Sequence, residues 1–266
     1  MTAILETRKL SISFGGLIAV DALDMTVEDG MILGLIGPNG AGKTTVFNLL
    51  TGVYKASFGS IFFGGREIGM LPPHEIVKLG VARTFQNIRL FRSLSVLENV
   101  MVGYAVHFDE PVWKASLLPE STRRVRARWV CECEELLDMV GVQEVGNEPA
   151  TALPYGKQRL VEIARALATK PKVLLLDEPS AGMNPAEKAE LMRFITTIQD
   201  KMNLTTMVIE HDMKVLMNLV ERVIVLDYGK MIADGTPDEI KNNPKVIEAY
   251  LGTETEDEKA ELDRVA

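Results

Sequence analysis

The 266-residue sequence has little cysteine and no long hydrophobic run, and each absence excludes a class of protein. Cys131 and Cys133 are the only cysteines. Two residues apart on a helix they would point in different directions, so we expect neither a disulfide nor a shared metal ion. No apolar run approaches the roughly 20 residues that cross a bilayer. Charged residues interrupt the first ten positions, so we expect no signal peptide and a cytosolic protein.

A surplus of basic residues is also missing. The net charge is −8, from 29 Lys and Arg against 37 Asp and Glu, which argues against a nucleic-acid partner. Much of the negative charge lies between Glu254 and Ala266, and this composition predicts a solvated acidic tail at residues 253–266. The apolar fraction of 47% is that of a globular protein with a sizeable core.

A glycine-rich loop is the most informative motif that is present. It follows the strand-length apolar run 31–36, precedes a helical pattern at 45–50 and fits G-x-x-x-x-G-K-[ST]. Glycines let backbone N–H groups point at phosphate oxygens, Lys43 adds a positive charge, and the Thr44 hydroxyl can bind Mg²⁺. We therefore expect a nucleoside triphosphate to bind the loop residues Gly37, Pro38, Asn39, Gly40, Ala41, Gly42, Lys43, Thr44 and Thr45.

The pattern along the chain indicates an α/β fold. Alternating apolar residues before position 30 predict strands joined by turns at 15–16 and 29–30, with another strand at 60–63. After Pro171, the strand patterns 173–176, 205–209 and 222–226 alternate with helical patterns at 187–201 and 213–220. This alternation predicts a parallel sheet with ligands at its carboxyl edge. Helices are predicted between about 90 and 165, including one that a capping box at Ser95 opens and another at 121–140.

Two acidic residues and a histidine follow buried strands. Asp177 is placed to hold Mg²⁺ through water, and Glu178 could polarise a water that attacks the γ-phosphate. His211 could donate to a γ-phosphate oxygen and hold the acid in place. Each residue alone could be an ordinary strand end, but together with a phosphate loop they favour a hydrolytic site.

These residues, in this order, resemble the ATP-binding-cassette (ABC) ATPases over about residues 4–252. The more specific part of the resemblance is Gln86 in Arg83–Gln86, then Leu153–Arg159, Asp177–Pro179 and His211. It implies a P-loop ATPase with a parallel-sheet core, an antiparallel β subdomain and an inserted helical subdomain at about 90–165. It also implies that Gln86 binds Mg²⁺ and senses the γ-phosphate. Phe14 would stack on adenine, with a place in the core as the alternative.

In this family a signature segment completes the ATP site of a facing subunit, so that two ATP molecules lie between two head-to-tail subunits. The matching residues here are Tyr155, Gly156, Lys157 and Gln158. Two positions depart from the family pattern: Pro154 replaces the usual signature serine, and Asn184 replaces an acidic residue. Because Lys43, Glu178 and His211 are present, neither departure predicts an inactive enzyme. We predict that Pro154 opens the signature helix.

Within the family, the sequence is similar to the longer ATPase subunit of branched-chain amino acid importers. The segments that carry this similarity are 14–20, 83–91, 155–156, 181–185, 209–213 and 243–252. The resemblance implies permease subunits as membrane partners, a second ATPase subunit in a homodimer or heterodimer, and indirectly a substrate-binding protein. The chain would lie at the inner face of the membrane through these partners. Urea or amide import, lipopolysaccharide export and a non-transport ATPase are the alternatives.

Overall fold

The computed structural model describes residues 3–107 and 120–250, without the side chains of 120–126 and Lys214. The predicted tail at 253–266 lies outside these residues, as do residues 108–119 of the predicted helical subdomain. The described chain forms two compact units: one contains residues 3–72 and 205–250, and the other contains residues 73–107 and 120–204. We name them the phosphate-loop unit and the helical unit. No helix in the described part is long and apolar enough to span a bilayer.

The phosphate-loop unit contains an antiparallel sheet in the order β2-β1-β4-β5. Leu5 of β1 lies opposite both Val27 of β2 and Phe63 of β4, so alternate residues of these strands face one core. The turns predicted at Gly15-Gly16 and Asp29-Gly30 are confirmed. The strands are β1 (Ala3–Phe14), β2 (Leu17–Glu28), β4 (Phe58–Phe63) and β5 (Arg66–Glu67).

Parallel strands form the second layer of this unit. β3 (Ile32–Ile36) pairs with β8 (Thr205–Ile209) and with β9 (Arg222–Asp227), and β10 (Lys230–Gly235) adds an antiparallel edge to β9. Every residue of β3 and β8 is buried, as expected for parallel strands covered on both faces. The helices are α1 (Lys43–Leu50), α7 (Met213–Met217) and α8 (Pro237–Lys241), and residues 244–250 are also helical.

The predicted helix at 213–220 was three residues too long. α7 ends at Met217, because the N–H groups of Leu219 and Val220 both donate to the Leu216 carbonyl and close a turn. Leu216 and Val220 then pack over Gly34, where a Cβ would lie 3.2 Å from the Leu216 side chain.

The helical unit combines two parallel strands with five helices in the described residues. β6 (Val81–Arg83) pairs with β7 (Val173–Asp177), with Val81 opposite Val173. The helices are α2 (Pro73–Leu79), α3 (Val96–Tyr104), α4 (Glu120–Met139), α5 (Tyr155–Leu167) and α6 (Pro185–Met202), and short 3₁₀ turns lie at 105–107, 143–145 and 150–152.

Local signals in the helical unit were predicted well. Ser95 accepts from the Glu98 N–H, and Glu98 accepts from the Ser95 N–H, which confirms the capping box that starts α3. α3 lies so close to α5 that a Cβ on Gly103 would be 2.3 Å from the Arg165 carbonyl oxygen. On α4, Cys131 is exposed and Cys133 is buried, as the spacing predicted.

Candidate nucleotide site

The phosphate loop connects β3 to α1 and depends on glycine at two positions. Gly37 has φ 149° and Gly42 has φ 99°, conformations that side chains rarely adopt. A Cβ on Gly37 would lie 2.0 Å from the Leu226 carbonyl oxygen, and one on Gly42 would lie 2.4 Å from the Ala19 carbonyl oxygen. Backbone geometry therefore fixes this loop, as its glycine spacing predicted.

Lys43 is the first residue of α1 and is buried. Its ammonium group donates to the Gly37 carbonyl at 2.6 Å and to the Pro38 carbonyl at 2.8 Å. These charge-assisted bonds hold the cation against the loop rather than in solvent. The neighbouring Thr44 side chain is exposed, and the helix N-terminus adds the positive end of its dipole.

Phe14 and His211 belong to the same unit. Phe14 is 46% exposed and meets the Tyr54 ring edge-on at a centroid distance of 5.2 Å, so it does not lie in the core, which was the alternative reading of this residue. An exposed ring has a face available for a base to stack on. His211 follows β8 and is exposed, and its backbone N–H donates to the Glu210 carboxylate at 3.2 Å.

In the helical unit, Asp177 ends β7 as a buried carboxylate. One of its oxygens accepts from the Arg83 guanidinium at 2.7 Å, and the other has no hydrogen-bond partner in the described structure. An unpaired buried carboxylate oxygen is costly, and a hydrated Mg²⁺ ion would satisfy it. A carboxylate oxygen is the kind of ligand that Mg²⁺ prefers, so this donor fits that ion.

Glu178 is brought together with Gln86, although 92 residues separate them in the sequence. The Gln86 amide nitrogen donates to the Glu178 carboxylate at 2.9 Å, which leaves the amide oxygen as the atom that could bind a cation. Glu178 has φ 47°, which places a non-glycine residue in the left-handed region. Such strain is held by surrounding structure and concentrates at functional positions.

The signature segment begins α5. Pro154 is the N-cap residue, with ψ 151°, and its carbonyl accepts from the Gln158 N–H at 3.0 Å, so the proline opens the helix from the position just before its first residue. Gly156 is buried against α6, where a Cβ would lie 2.9 Å from a Glu187 carboxylate oxygen. Tyr155 is exposed. The Lys157 ammonium lies 3.5 Å from the Glu190 carboxylate. The Gln158 side-chain amide donates to the Leu153 carbonyl.

Sequence comparison assigns the chain to a known family. The profile described as ABC transporter matches residues 20–181, and the one described as Branched-chain amino acid ATP-binding cassette transporter matches residues 230–256. The chain belongs to the ABC transporter family. It is 43% identical over 249 residues to the high-affinity branched-chain amino acid transport ATP-binding protein BraF of Pseudomonas aeruginosa, covering 94% of this chain and 98% of that protein.

Further relatives agree with this assignment. The protein LivG of Escherichia coli K12, whose name describes the same transport role, is also 43% identical, over 94% of this chain and 98% of its own length. A crystal structure of the ADP conformation of an ATP-binding cassette of an ABC transporter superposes with a TM-score of 0.82 at 30% identity, over 95% of this chain and 100% of that one. The ABC fold and an ATPase coupled to transport, both predicted from the motifs, are confirmed.

Sequence reasoning missed the side chains that hold residues 85–91, the Gln86 segment, of this ABC cassette. Arg159 is fully buried on α5 and donates to the Phe85 carbonyl and to the Gln86 carbonyl, both at 2.6 Å. Asn99 on α3 accepts from the Phe91 N–H at 2.8 Å and donates to the Phe91 carbonyl at 3.1 Å. The available signal was that polar residues stand on helix faces that are otherwise apolar.

Asn184, the second departure from the family pattern, has a local role in the ABC cassette. Its side-chain oxygen accepts from the N–H groups of Ala186 and Glu187, and Glu187 accepts from the Asn184 N–H. Asparagine therefore caps α6 as well as aspartate would, but without the negative charge.

Proposed function

We propose that this chain is the ATP-hydrolysing subunit of an importer for branched-chain or other hydrophobic amino acids. The observation that supports this most is the identity of 43% with BraF across nearly the full length of both chains. Residues 230–256 also match a profile described as Branched-chain amino acid ATP-binding cassette transporter, which supports the same assignment. The substrate itself would be recognised by other subunits.

We infer the roles of the site residues from their chemistry. The glycine loop and Lys43 would bind the ATP phosphates, and Thr44, Gln86 and Asp177 would hold Mg²⁺, which neutralises phosphate charge. Glu178 would polarise the attacking water, and His211 would donate to the γ-phosphate. Phe14 would stack on adenine. Tyr155, Gly156, Lys157 and Gln158 would face the ATP of a second ATPase subunit.

Lys43→Ala tests the nucleotide site directly. Loss of the buried cation should weaken ATP binding by about 100-fold or more, because charge-assisted contacts to phosphate are among the strongest in the site. Calorimetric titration with Mg-ATP measures this change. Lys230→Ala is the matched control, since the Lys230 side chain is exposed near Asp21. Equal ATP affinity in the two variants would contradict the assignment.

The helical unit contains a groove suited to a permease segment. A cavity of about 340 Å³ is lined by apolar and charged residues that include Val77, Phe85, Val102, Val106, Glu162 and Arg165. It lies beside the Gln86 segment, since Phe85 forms part of its wall. The Arg89 guanidinium lies 4.6 Å from the centre of the Phe85 ring, and Phe91 is 50% exposed. We propose that a short apolar segment of a permease docks in this groove, and that the chain reaches the inner membrane face only in this way.

Arg89→Glu tests the groove. The reversed charge should remove the contact with Phe85 and lower substrate uptake per ATP hydrolysed. The matched control is Arg128→Glu, because Arg128 is exposed on α4 and its ion pair in the described structure is with Glu132, one turn away. Uptake per ATP that is unchanged in Arg89→Glu would exclude the groove from coupling.

Identifying the transported substrate requires the native complex with its membrane subunits. The chain should be tagged, purified with its membrane subunits and reconstituted into vesicles. We expect ATP-dependent uptake of labelled leucine, isoleucine or valine, and none with a complex that contains Glu178→Gln. Uptake of urea or short amides alone, or co-purification of subunits of a lipid exporter, would overturn the amino acid assignment and leave the ATPase assignment intact.

A further inference from the structure

A buried ion pair on α5 underlies the Gln86 segment. Arg159 and Glu162 are both fully buried, and the guanidinium donates to the carboxylate at 2.8 Å. Burying two charges is expensive, and a pair of well-packed apolar residues would often be as stable. Stability alone therefore does not account for this ion pair.

Both charges hold one stretch of backbone. Arg159 donates from its two terminal nitrogens to the carbonyls of residues 85 and 86, each at 2.6 Å. The other Glu162 oxygen accepts from the Arg89 N–H at 3.2 Å. Arg165, whose guanidinium is 3.7 Å from Glu162, donates to the Arg89 carbonyl at 2.6 Å. Glu162 thus orients two arginines that together fix residues 85, 86 and 89.

The fixed backbone carries the side chain that reaches the catalytic carboxylate. Gln86 donates to Glu178 at 2.9 Å, so the contacts run from Glu162 through Arg159 and Gln86 to Glu178. Every member lies in the helical unit. Glu162 and Arg165 also line the groove proposed for a permease, so an occupant of the groove would touch the start of this series.

We propose that Glu162 and Arg159 are positioning residues for ATP hydrolysis, which set the place of Gln86 against Glu178. Both would act through the position of Gln86 rather than on a reacting atom. Burial raises the pKa of Glu162, and the positive charge of Arg159 opposes that rise. Because its two oxygens accept from Arg159 and from the Arg89 N–H, the carboxylate serves as an oriented hydrogen-bond acceptor. The inference rests on the role proposed for Gln86.

Glu162→Gln keeps the shape of the side chain and removes its charge. With Arg159 and Arg165 less firmly oriented, kcat for ATP should fall about tenfold while KM for ATP changes less than about threefold, because the phosphate loop belongs to the other unit. The control is Glu132→Gln, which removes a carboxylate paired with Arg128 and Lys170 on the same unit. It should leave kcat unchanged.

A double-mutant cycle with Gln86→Ala separates positioning from general loss of stability. If Glu162 acts through Gln86, adding Glu162→Gln to Gln86→Ala should cause little further loss of kcat. A full further tenfold loss would overturn the inference. If the single variant Gln86→Ala keeps the wild-type kcat, the role proposed for Gln86 is wrong. If Gln86→Ala lowers kcat but the single variant Glu162→Gln does not, Gln86 keeps its role and Glu162 is not a positioning residue.

An apolar replacement guards against misfolding. Arg159→Met combined with Glu162→Leu removes both buried charges together, so neither is left unpaired. We expect this variant to fold, as judged by thermal unfolding, and to show the same selective loss of kcat. A folded double variant with wild-type kcat would show that the pair serves packing alone.

Discussion

The phosphate loop and the Gln86 segment are both parts of the proposed ATP site, yet they are held in different ways. The phosphate loop is fixed by backbone: Gly37 and Gly42 leave no room for a side chain, and the loop's own carbonyls bind Lys43. The Gln86 segment is fixed by buried side chains of neighbouring helices, Arg159 and Glu162 on α5 and Asn99 on α3.

This difference makes the phosphate loop rigid and leaves the Gln86 segment able to shift. A backbone-built loop has few alternative conformations, because glycine dihedrals and close packing define it. A segment held by side chains can move when its holders change rotamer or partner. A part that binds phosphate benefits from the first arrangement, and a part that reports on a partner benefits from the second.

Glu178→Gln should have the largest effect, because it should abolish most ATP hydrolysis while leaving ATP binding in place. The amide cannot accept the proton of the attacking water, so kcat should fall by about 10²–10⁴-fold while ATP binding persists. Single-turnover ATPase measurements and calorimetry would show the two effects. With ATP, the variant should accumulate as a dimer or as a heterodimer with its partner ATPase. Wild-type turnover would remove Glu178 from its assigned role.

Gly37→Ala tests whether the phosphate loop really depends on backbone. The new Cβ would collide with the Leu226 carbonyl at a φ that alanine avoids, so we expect a loss of about 3 kcal/mol in the free energy of unfolding. Chemical denaturation measures it. Gly16→Ala is the control, since no described atom beyond the adjoining residues lies within 4 Å of its Cβ position. Similar stability for both variants would contradict the packing described for this loop.

Asn99→Ala removes a side-chain support of the other segment. The Phe91 N–H would lose its acceptor, the fully buried Asn99 side chain, and the expected cost is about 2 kcal/mol of unfolding free energy. Asn242→Ala, at an exposed asparagine whose side chain donates to the Asp238 carbonyl, should cost far less. Stability that is equal in the two variants would show that Asn99 is not a support of the segment.

The smallest expected effect is that of Pro154→Ser. A serine at this N-cap can accept from the Lys157 N–H, and an N-cap of this kind contributes about 0.5–1 kcal/mol. If its hydroxyl instead reaches the γ-phosphate of a facing subunit, ATP-driven dimerisation should strengthen. Sedimentation in the Glu178→Gln background distinguishes these results. A dimer affinity that is unchanged or lower with ATP would leave the serine as a helix cap only.

The features that could be predicted from the sequence are those that depend on residues close together in the chain. Ser95 and Glu98 lie three residues apart, and the phosphate loop fits within nine residues, so both could be read from their spacing. The end of α7 at Met217 was missed because Leu219 and Val220 continue the apolar helical pattern beyond the turn that closes it. The limits of the helical subdomain at about 90–165, and the roles of the site residues, stay predictions.

The supports of the Gln86 segment could not be predicted in the same way. The bond between Arg159 and the Gln86 carbonyl spans 73 residues, and the one between Arg83 and Asp177 spans 94. The spacing of apolar residues along one helix does not identify a partner so far away in the sequence. A charged residue on an otherwise apolar helix face indicates that a buried partner exists, but the three-dimensional structure is needed to identify that partner.

The left-handed backbone at Glu178 has a consequence for laboratory evolution of this protein. Only glycine and, to a lesser degree, asparagine adopt that conformation with ease, so either replacement would relieve about 1 kcal/mol of strain or more. A library screened for heat resistance alone would therefore enrich replacements at the very position that we assign to water activation. Selection for durability and selection for turnover should oppose each other at this residue, and pooled variants heated before an uptake screen would reveal that opposition.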